Sequence, residues 1–478
     1  SLAFAFISVL WNLRDHLWLD ETATLWATDR GLGQLVTRCT VFPLSYLYAA
    51  LIVAIRSLGG SSEWLIRAPS FIASIIAAAI VYRDCRSRWG SAAGWLSVIL
   101  FANYPTVLFE AGNARPYALA LLFVILSTSL LVRLLDRPSH ALALGYGLTA
   151  ALVPDLHILY SIALIPHLIY MILRAGALRR IPRMYLIETV SVFAIAILPF
   201  VISTYLLMGH GSQHSYADSP DVDTVIYGFL PLALSTSLLG TALAAVLLGT
   251  TIECTTAIAN NELIMAACTA LGPPLLCFAA SRMLHLGLFV QRYWLSFIGG
   301  LATCFGAMAG SLKPTRIVRI VTLCVTVASF WHCEKLVTTP IRHTSSLGDW
   351  KAALRFVDSF TSDTKEPVLL RSQYVESDTL PIDPLFDNPA FSQLSYYPSR
   401  SRLLGLSASF NRDQVDAVLR KARAMSATGT FLLLIHNGPK PAEPLIRYLS
   451  NRSGLEDKSL ADFDSVQVIE FSKRQGGA

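Results

Sequence analysis

The chain has 478 residues, of which 54% are hydrophobic and only 15% charged. Soluble domains carry about a quarter charged residues, so this composition, with a mean hydropathy of +0.52, excludes an ordinary soluble protein and defines a polytopic membrane protein. The net charge of +6 is spread over many short loops, which reads as topology bias and not as a nucleic-acid patch. The eight cysteines never form Cys-x-x-Cys and lie mostly in apolar segments, as small buried hydrophobes do.

The chain opens inside an apolar run, Leu2 to Trp11, read as the end of a first membrane helix. Leu17-Trp18-Leu19-Asp20-Glu21-Thr22-Ala23-Thr24-Leu25 follows, placing two adjacent carboxylates at the membrane surface between Trp18 and Trp26. Carboxylates are costly near hydrocarbon, so such a pair points to a task. Neighbours in sequence do not share a face, so one can enter a cavity while the other is hydrogen-bonded or solvated. The same spacing fits a helix start equally well, with Asp20 as the cap and acids near the positive end of the dipole.

Further apolar runs of spanning length recur at about 64–82, 91–109, 116–132, 139–153, 156–173, 186–208, 229–250, 263–280, 293–311 and 317–332. With the first segment they predict about eleven transmembrane helices. The run Pro43 to Leu58 is short and carries Arg56. If it does not cross, the clusters Arg83/Arg86/Arg88, Arg133/Arg137, Arg174/Arg179/Arg180/Arg183 and Lys313/Arg316/Arg319 all fall on one side, which the positive-inside rule makes the cytoplasm. Pro43 to Leu58 is therefore read as a juxtamembrane helix of the outer side, within a first outer loop 13–63. The outer side then collects Asp20, Glu21, Glu110, Arg115, Asp155, His157 and Arg292, none of which was used to choose the topology.

After Glu334 charges and turn residues become frequent. Strand-like runs (Pro367-Val-Leu-Leu, Phe431-Leu-Leu-Leu-Ile, Val466-Gln-Val-Ile) alternate with helical patterns (Trp350–Ser359, Asp413–Met425, Ala442–Ser450). Residues 334–478 are thus expected to form a small soluble extracytoplasmic α/β domain, with Pro381 to Arg402 an irregular insert, and residues 1–333 the transmembrane domain. No internal repeat is evident.

Arg115 stands directly before a membrane helix with Pro116 in its first turn, and Arg292-Tyr293 also opens a helix. Arginine in such places either snorkels to lipid phosphates or grips a bound phosphate with its fork. Asp155 and His157 flank a short outer turn, with Tyr160 one helical turn on. His210 and His214 share a polar loop with Asp218, Asp221 and Asp223, without tight ligand spacing. A divalent metal is left open, with Glu21 or Asp155 as candidate ligands.

Together these stretches resemble the membrane-embedded type C glycosyltransferases that use polyprenyl-phosphate sugars. More narrowly, the chain is similar to bacterial relatives of the protein O-mannosyltransferases and lipid A aminoarabinose transferases. The resemblance runs from Leu17-Trp18-Leu19-Asp20-Glu21 through Pro43-Leu44-Ser45-Tyr46-Leu47, Arg67-Ala68-Pro69-Ser70 and Ala114-Arg115-Pro116-Tyr117-Ala118-Leu119. It ends with Arg292-Tyr293 and Asp349-Trp350-Lys351-Ala352-Ala353, covering most of residues 15–355. It implies that Asp20 is the catalytic acidic residue of the first outer loop, with Glu21 beside it, and that Arg115, Arg292 and Tyr293 lie near the donor phosphate. Tyr117, Asp155, His157 and Glu110 are then candidate substrate-binding residues. The chain departs from the pattern at Glu110, which precedes Arg115 by five residues where many relatives place a Glu immediately before Ala-Arg. It departs again at Val41-Phe42, where relatives often carry a charge, and at Pro154-Asp155-Leu156-His157, where they often read Tyr-Thr-His-Tyr.

The expected activity is transfer of one sugar from a polyprenyl-phosphate carrier to a glycan, lipid or protein acceptor on the extracytoplasmic side of the inner membrane. The transfer inverts the anomeric centre, with Asp20 as general base. The rival reading is a transporter or flippase of a lipid-linked or anionic substrate, which leaves the one-sided tail unexplained.

Overall fold

In lipid every backbone polar group must be satisfied within the chain, so long apolar runs fold as helices. The computed structural model describes residues 15–42, 44–208, 257–284, 288–311, 348–372, 391–407, 410–436, 442–463, 465–473 and part of 6–13. The predicted runs 229–250 and 317–332, the Lys313/Arg316/Arg319 cluster and the loop with His210 and His214 lie outside the described residues. Two compact units result.

The first unit comprises the described parts of Ser1–Leu13, Ser45–Tyr48 and Trp64–Ile341. Among the described residues, four helices are long and apolar enough to cross a membrane: Glu63–Trp89, Tyr117–Asp136, Arg183–Ile202 and Asn261–Leu284. A fifth span is obtained if the pair Ser91–Ala102 and Pro105–Ala111 counts as one. That pair was expected as a single run; it bends by 68° because Tyr104 is extended and Pro105, at the start of the second helix, has no N–H to continue the first. The run expected at 156–173 likewise begins as a 3-10 turn, Ile158–Leu164, and becomes α-helical only from Ile165. The short run carrying Arg56 forms the helix Tyr46–Gly59. The architecture is that of a polytopic α-helical membrane protein.

Close helix contact here relies on small residues, since lipid supplies no hydrophobic drive between helices. Gly147 lies against the Thr189 backbone, Gly300 against Ala266 and Ala270, and Gly306 against Ala93 and Ser97. At the arginine-rich ends, ion pairs tie neighbouring helices: Asp84, paired with Arg83 of its own helix (3.0 Å), also accepts from Arg133 (3.1 Å), Arg88 pairs with Glu262, and Arg174 with Asp136 (2.8 Å). Apolar side chains such as Ile72, Ile172, Ile187, Val190 and Val201 remain exposed on outward faces, where lipid replaces water.

The second unit comprises the described parts of Arg14–Leu44, Ala49–Glu63 and Arg342–Ala478. Its five-stranded sheet has the order β2-β1-β3-β5-β4, with β1 Pro367–Arg371, β2 Arg402–Gly405, β3 Phe431–His436, β4 Glu456–Phe463 and β5 Val466–Ser472. The pairs β2/β1 and β1/β3 are parallel, and β3/β5 and β5/β4 antiparallel. Central β1 and β3 are buried along their whole length, as unbroken apolar runs require. One face is covered by Arg412–Met425 and Glu443–Ser453, which bury Val415, Leu419, Leu445 and Leu449 on Leu369, Leu433 and Ile469. Strands β2 and β4 were not anticipated: β2 is four residues long, and β4 is a largely exposed edge whose Glu456-Asp457-Lys458 start has no apolar alternation. The helix Trp350–Thr364 starts on Asp349, whose carboxylate accepts the Ala352 N–H at 2.8 Å, and ends at Lys365 in the left-handed region.

Candidate functional site

In the second unit, Asp20 and Glu21 occupy the first turn of the helix Leu19–Thr28. Acidic side chains favour this end because the unpaired N–H groups and the dipole are positive there. Trp18 is the cap residue, and the Glu21 carboxylate reaches back to accept its N–H at 3.3 Å, the reciprocal half of a capping box. Glu21 is fully buried while Asp20 is partly exposed. The two acids therefore divide as adjacency predicts, with Glu21 tied to the backbone. The far end of the helix is held by two arginines. Arg38 lies over the Trp26 ring at 4.5 Å and donates to the Trp26 carbonyl; Arg56 donates to the Leu25 carbonyl (3.0 Å), Thr28 Oγ1 (3.1 Å) and Asp29 (3.0 Å). Cations at a helix C-terminus complement the acids at its start.

In the first unit, Arg115 and Arg292 gather around one aromatic ring. The chain after Pro105–Ala111 turns through Gly112 and Asn113; Asn113 donates to Glu110 at 3.0 Å, and the Arg115 N–H bonds the Asn113 carbonyl at 2.9 Å. Ser70, in the Arg67-Ala68-Pro69-Ser70 stretch, donates to the Arg115 carbonyl at 3.2 Å. The Arg115 backbone is thus fixed, and its guanidinium carbon stands 5.7 Å from the centre of the Tyr117 ring. Arg292, on the 3-10 turn Gln291–Tyr293, stands 5.8 Å from the same centre and 5.6 Å from that of Tyr293. Gln291 holds this turn by donating to Tyr104 at 3.0 Å, and Tyr160 by donating to the Arg292 carbonyl at 3.0 Å.

His157 completes the cluster, with its ring centre 5.1 Å from Tyr117, 5.3 Å from Tyr160 and 5.3 Å from Tyr293. Burial, reinforced by the charges of Arg115 and Arg292, lowers its pKa to about 3. The imidazole is therefore neutral at physiological pH, and its Nδ1 has no hydrogen-bond partner among the described residues. Asp155 lies in the last turn of the helix His140–Leu156, which ends at His157, and accepts from Ser45 at 3.3 Å; burial, outweighing that bond, raises its pKa. Two guanidiniums and a neutral histidine thus gather around one tyrosine ring, with the Glu110 carboxylate close by in the same turn.

The structure brings Arg115, Arg292, Tyr293, Tyr117, His157 and Glu110 into one neighbourhood, Glu110 through Asn113. Among the described residues no group of three His, Cys, Asp or Glu side chains is fit to hold a metal. Sequence reasoning did not single out Asn113, Gln291 or Tyr104, whose side-chain bonds hold the arginine-bearing turns. Only Asn113, inside the Glu110 to Arg115 stretch, had a local signal.

Comparison with known proteins agrees with this architecture. Residues 43–203 match the family model described as dolichyl-phosphate-mannose-protein mannosyltransferase. The crystal structure of ArnT from Cupriavidus metallidurans bound to undecaprenyl phosphate aligns over 98% of this chain and 96% of its own, with a TM-score of 0.57 and 12% identity. Its apo state aligns over the same shares with a TM-score of 0.59 and 11% identity. The arabinosyltransferase EmbB from Mycobacterium smegmatis aligns over 70% of this chain and 37% of its own, with a TM-score of 0.41 and 13% identity. Comparison with curated protein sequences found no match.

In class, the chain is similar to the membrane-embedded type C glycosyltransferases that use polyprenyl-phosphate sugar donors. In particular, it shares its fold with ArnT over nearly its whole length and its sequence pattern with the protein mannosyltransferases over 43–203.

Proposed function

We propose that this protein transfers a single sugar from a polyprenyl-phosphate carrier to an acceptor hydroxyl on the extracytoplasmic face of the inner membrane. The observation that carries this reading is the pair of guanidiniums, Arg115 and Arg292, gathered on the Tyr117 ring. Two guanidiniums on one ring suit an anion, and their planar forks match the oxygens of a phosphate monoester or diester. Asp20 takes the proton of the acceptor hydroxyl, whose oxygen forms the new bond to the anomeric carbon. The bond from that carbon to the phosphate oxygen breaks, and its electron pair leaves on the phosphate, so polyprenyl phosphate and an inverted glycoside result. Arg115 and Arg292 neutralise the charge that grows on the departing phosphate. Tyr293, Tyr117 and His157 supply the walls around it. Residues 334–478 form the extracytoplasmic part.

Mass spectrometry of lipids co-purifying with an Asp20→Asn protein, beside an Arg115→Ala protein, tests this. A polyprenyl-phosphate sugar enriched on the first and depleted on the second supports it and gives the mass of the sugar. Bulk phospholipid alone on both, with no retention of added undecaprenyl phosphate, rejects it in favour of a transporter.

A further inference from the structure

A ten-residue helix is too short to hold its own position in water, so the geometry of Asp20 depends on what grips Leu19–Thr28 from outside. Its C-terminal end is gripped by Arg38 and Arg56, which belong to the same loop. Its N-terminal end, where Asp20 stands, is gripped from 380 residues away: the buried Leu17 N–H donates to the Tyr397 hydroxyl at 2.8 Å. One turn further on, Thr22 Oγ1 and Ser392 Oγ meet at 2.9 Å, both fully buried. The Thr22 hydroxyl already spends its proton on the Leu19 carbonyl at 2.9 Å, so Ser392 is the donor. Two residues along a helix are about 200° apart, so Ser392 holds the side opposite the one that presents Asp20.

The same short segment is anchored to the end of the loop as well. The Tyr396 hydroxyl donates to the Ser61 carbonyl at 2.5 Å. Lys351 lies 5.6 Å from the Tyr397 ring centre and pairs with Glu63 at 2.8 Å. Residues 391–397 therefore touch both the beginning and the end of the stretch from Leu17 to Glu63. We propose that Ser392 and Tyr397 are positioning residues for the Asp20 carboxylate, a brace through which the C-terminal part of the chain sets the general base. The proposal rests on the reading of Asp20 as that base.

The test uses the full-length protein in native membranes, read as undecaprenyl phosphate released from added undecaprenyl-phosphate-linked mannose or aminoarabinose. Tyr397→Phe and Ser392→Ala each remove one hydroxyl and little volume. Each is expected to lower kcat about 10- to 100-fold, the scale on which small misplacements of a reacting group act, while the donor KM stays within about twofold. Ser392→Thr restores kcat. In an Asp20→Asn background neither substitution lowers the residual rate further, because the brace acts through Asp20. If Asp20→Asn abolishes turnover but both brace variants keep the parental kcat, the brace is wrong and the base stands. If Asp20→Asn itself keeps the parental kcat, the base assignment fails and the brace with it. A fall in kcat that comes with a fall in Tm, and that Ser392→Thr does not repair, makes the segment a stabilising contact only and overturns the proposal.

Discussion

Arg115 and Arg292, 177 positions apart in the chain (292 minus 115), set their guanidinium carbons 5.7 and 5.8 Å from the centre of one ring, that of Tyr117. Each cation gains from the ring face, by about 0.5–2 kcal/mol in such settings, but each also repels the other. An anion bound by both relieves that repulsion, so their effects on donor use are coupled. Arg115→Gln and Arg292→Gln are each expected to cost about 2–4 kcal/mol in kcat/KM for the lipid-linked donor. The double variant loses clearly less than the two losses added. Steady-state kinetics on the four proteins checks this, and strict additivity counts against a shared phosphate.

His157 responds to the same two charges. With its pKa lowered to about 3, it stays neutral through the range where an ordinary histidine titrates. Donor retention measured between pH 5 and 8 therefore shows no inflection from this ring. Arg292→Gln removes one of the two positive charges beside it and raises the pKa toward the ordinary value, moving an inflection closer to that window. The stability consequence has a definite sign. Below about pH 6.5 the unfolded chain binds the proton and the folded one does not, so stability falls as pH drops from about 6.5 toward 3. His157→Phe should lessen the Tm difference between pH 7 and pH 4.5; an unchanged difference would count against a depressed pKa.

Gly300 is a packing prediction. A Cβ there meets the Ala266 carbonyl, the Ala270 N–H and the Thr269 side chain, all on the neighbouring helix, whereas a Cβ at Gly272 meets nothing within 4 Å. Gly300→Ala should destabilise by about 1–3 kcal/mol through forced helix separation. Gly272→Ala, in an open helix position, should leave Tm equal or slightly higher. Thermal unfolding in detergent distinguishes the two; equal behaviour would mean that the helices do not meet at Gly300.

Gln393, next to Ser392, is fully buried, and neither its amide nitrogen nor its amide oxygen has a hydrogen-bond partner among the described residues. A bare buried amide costs about 1–3 kcal/mol, which a methionine of similar length avoids. Gln393→Met is therefore expected to raise Tm by a few degrees. A fall in Tm instead would show that the amide is satisfied by a water or ligand.

Much of the architecture was legible because it is set by local chemistry. Runs such as Glu63–Trp89 and Tyr117–Asp136 must be helices wherever lipid surrounds them, since no other local structure satisfies the backbone there. Arg115 before Pro116, and Asp20-Glu21 after Trp18, carried enough local pattern to be named as site candidates. The packing of Ser392 on Thr22, the gathering of Arg115 and Arg292 on Tyr117 and the bend before Pro105 were decided only in three dimensions. So was the division between Asp20 and Glu21, because both acids suit a helix start equally and only the fold shows Glu21 closing the cap. The physical reason is range. Hydropathy and helix-end preferences act over a few residues and are written in them, whereas a contact such as that of Leu17 with Tyr397 spans 380 positions and exists only once the chain has packed.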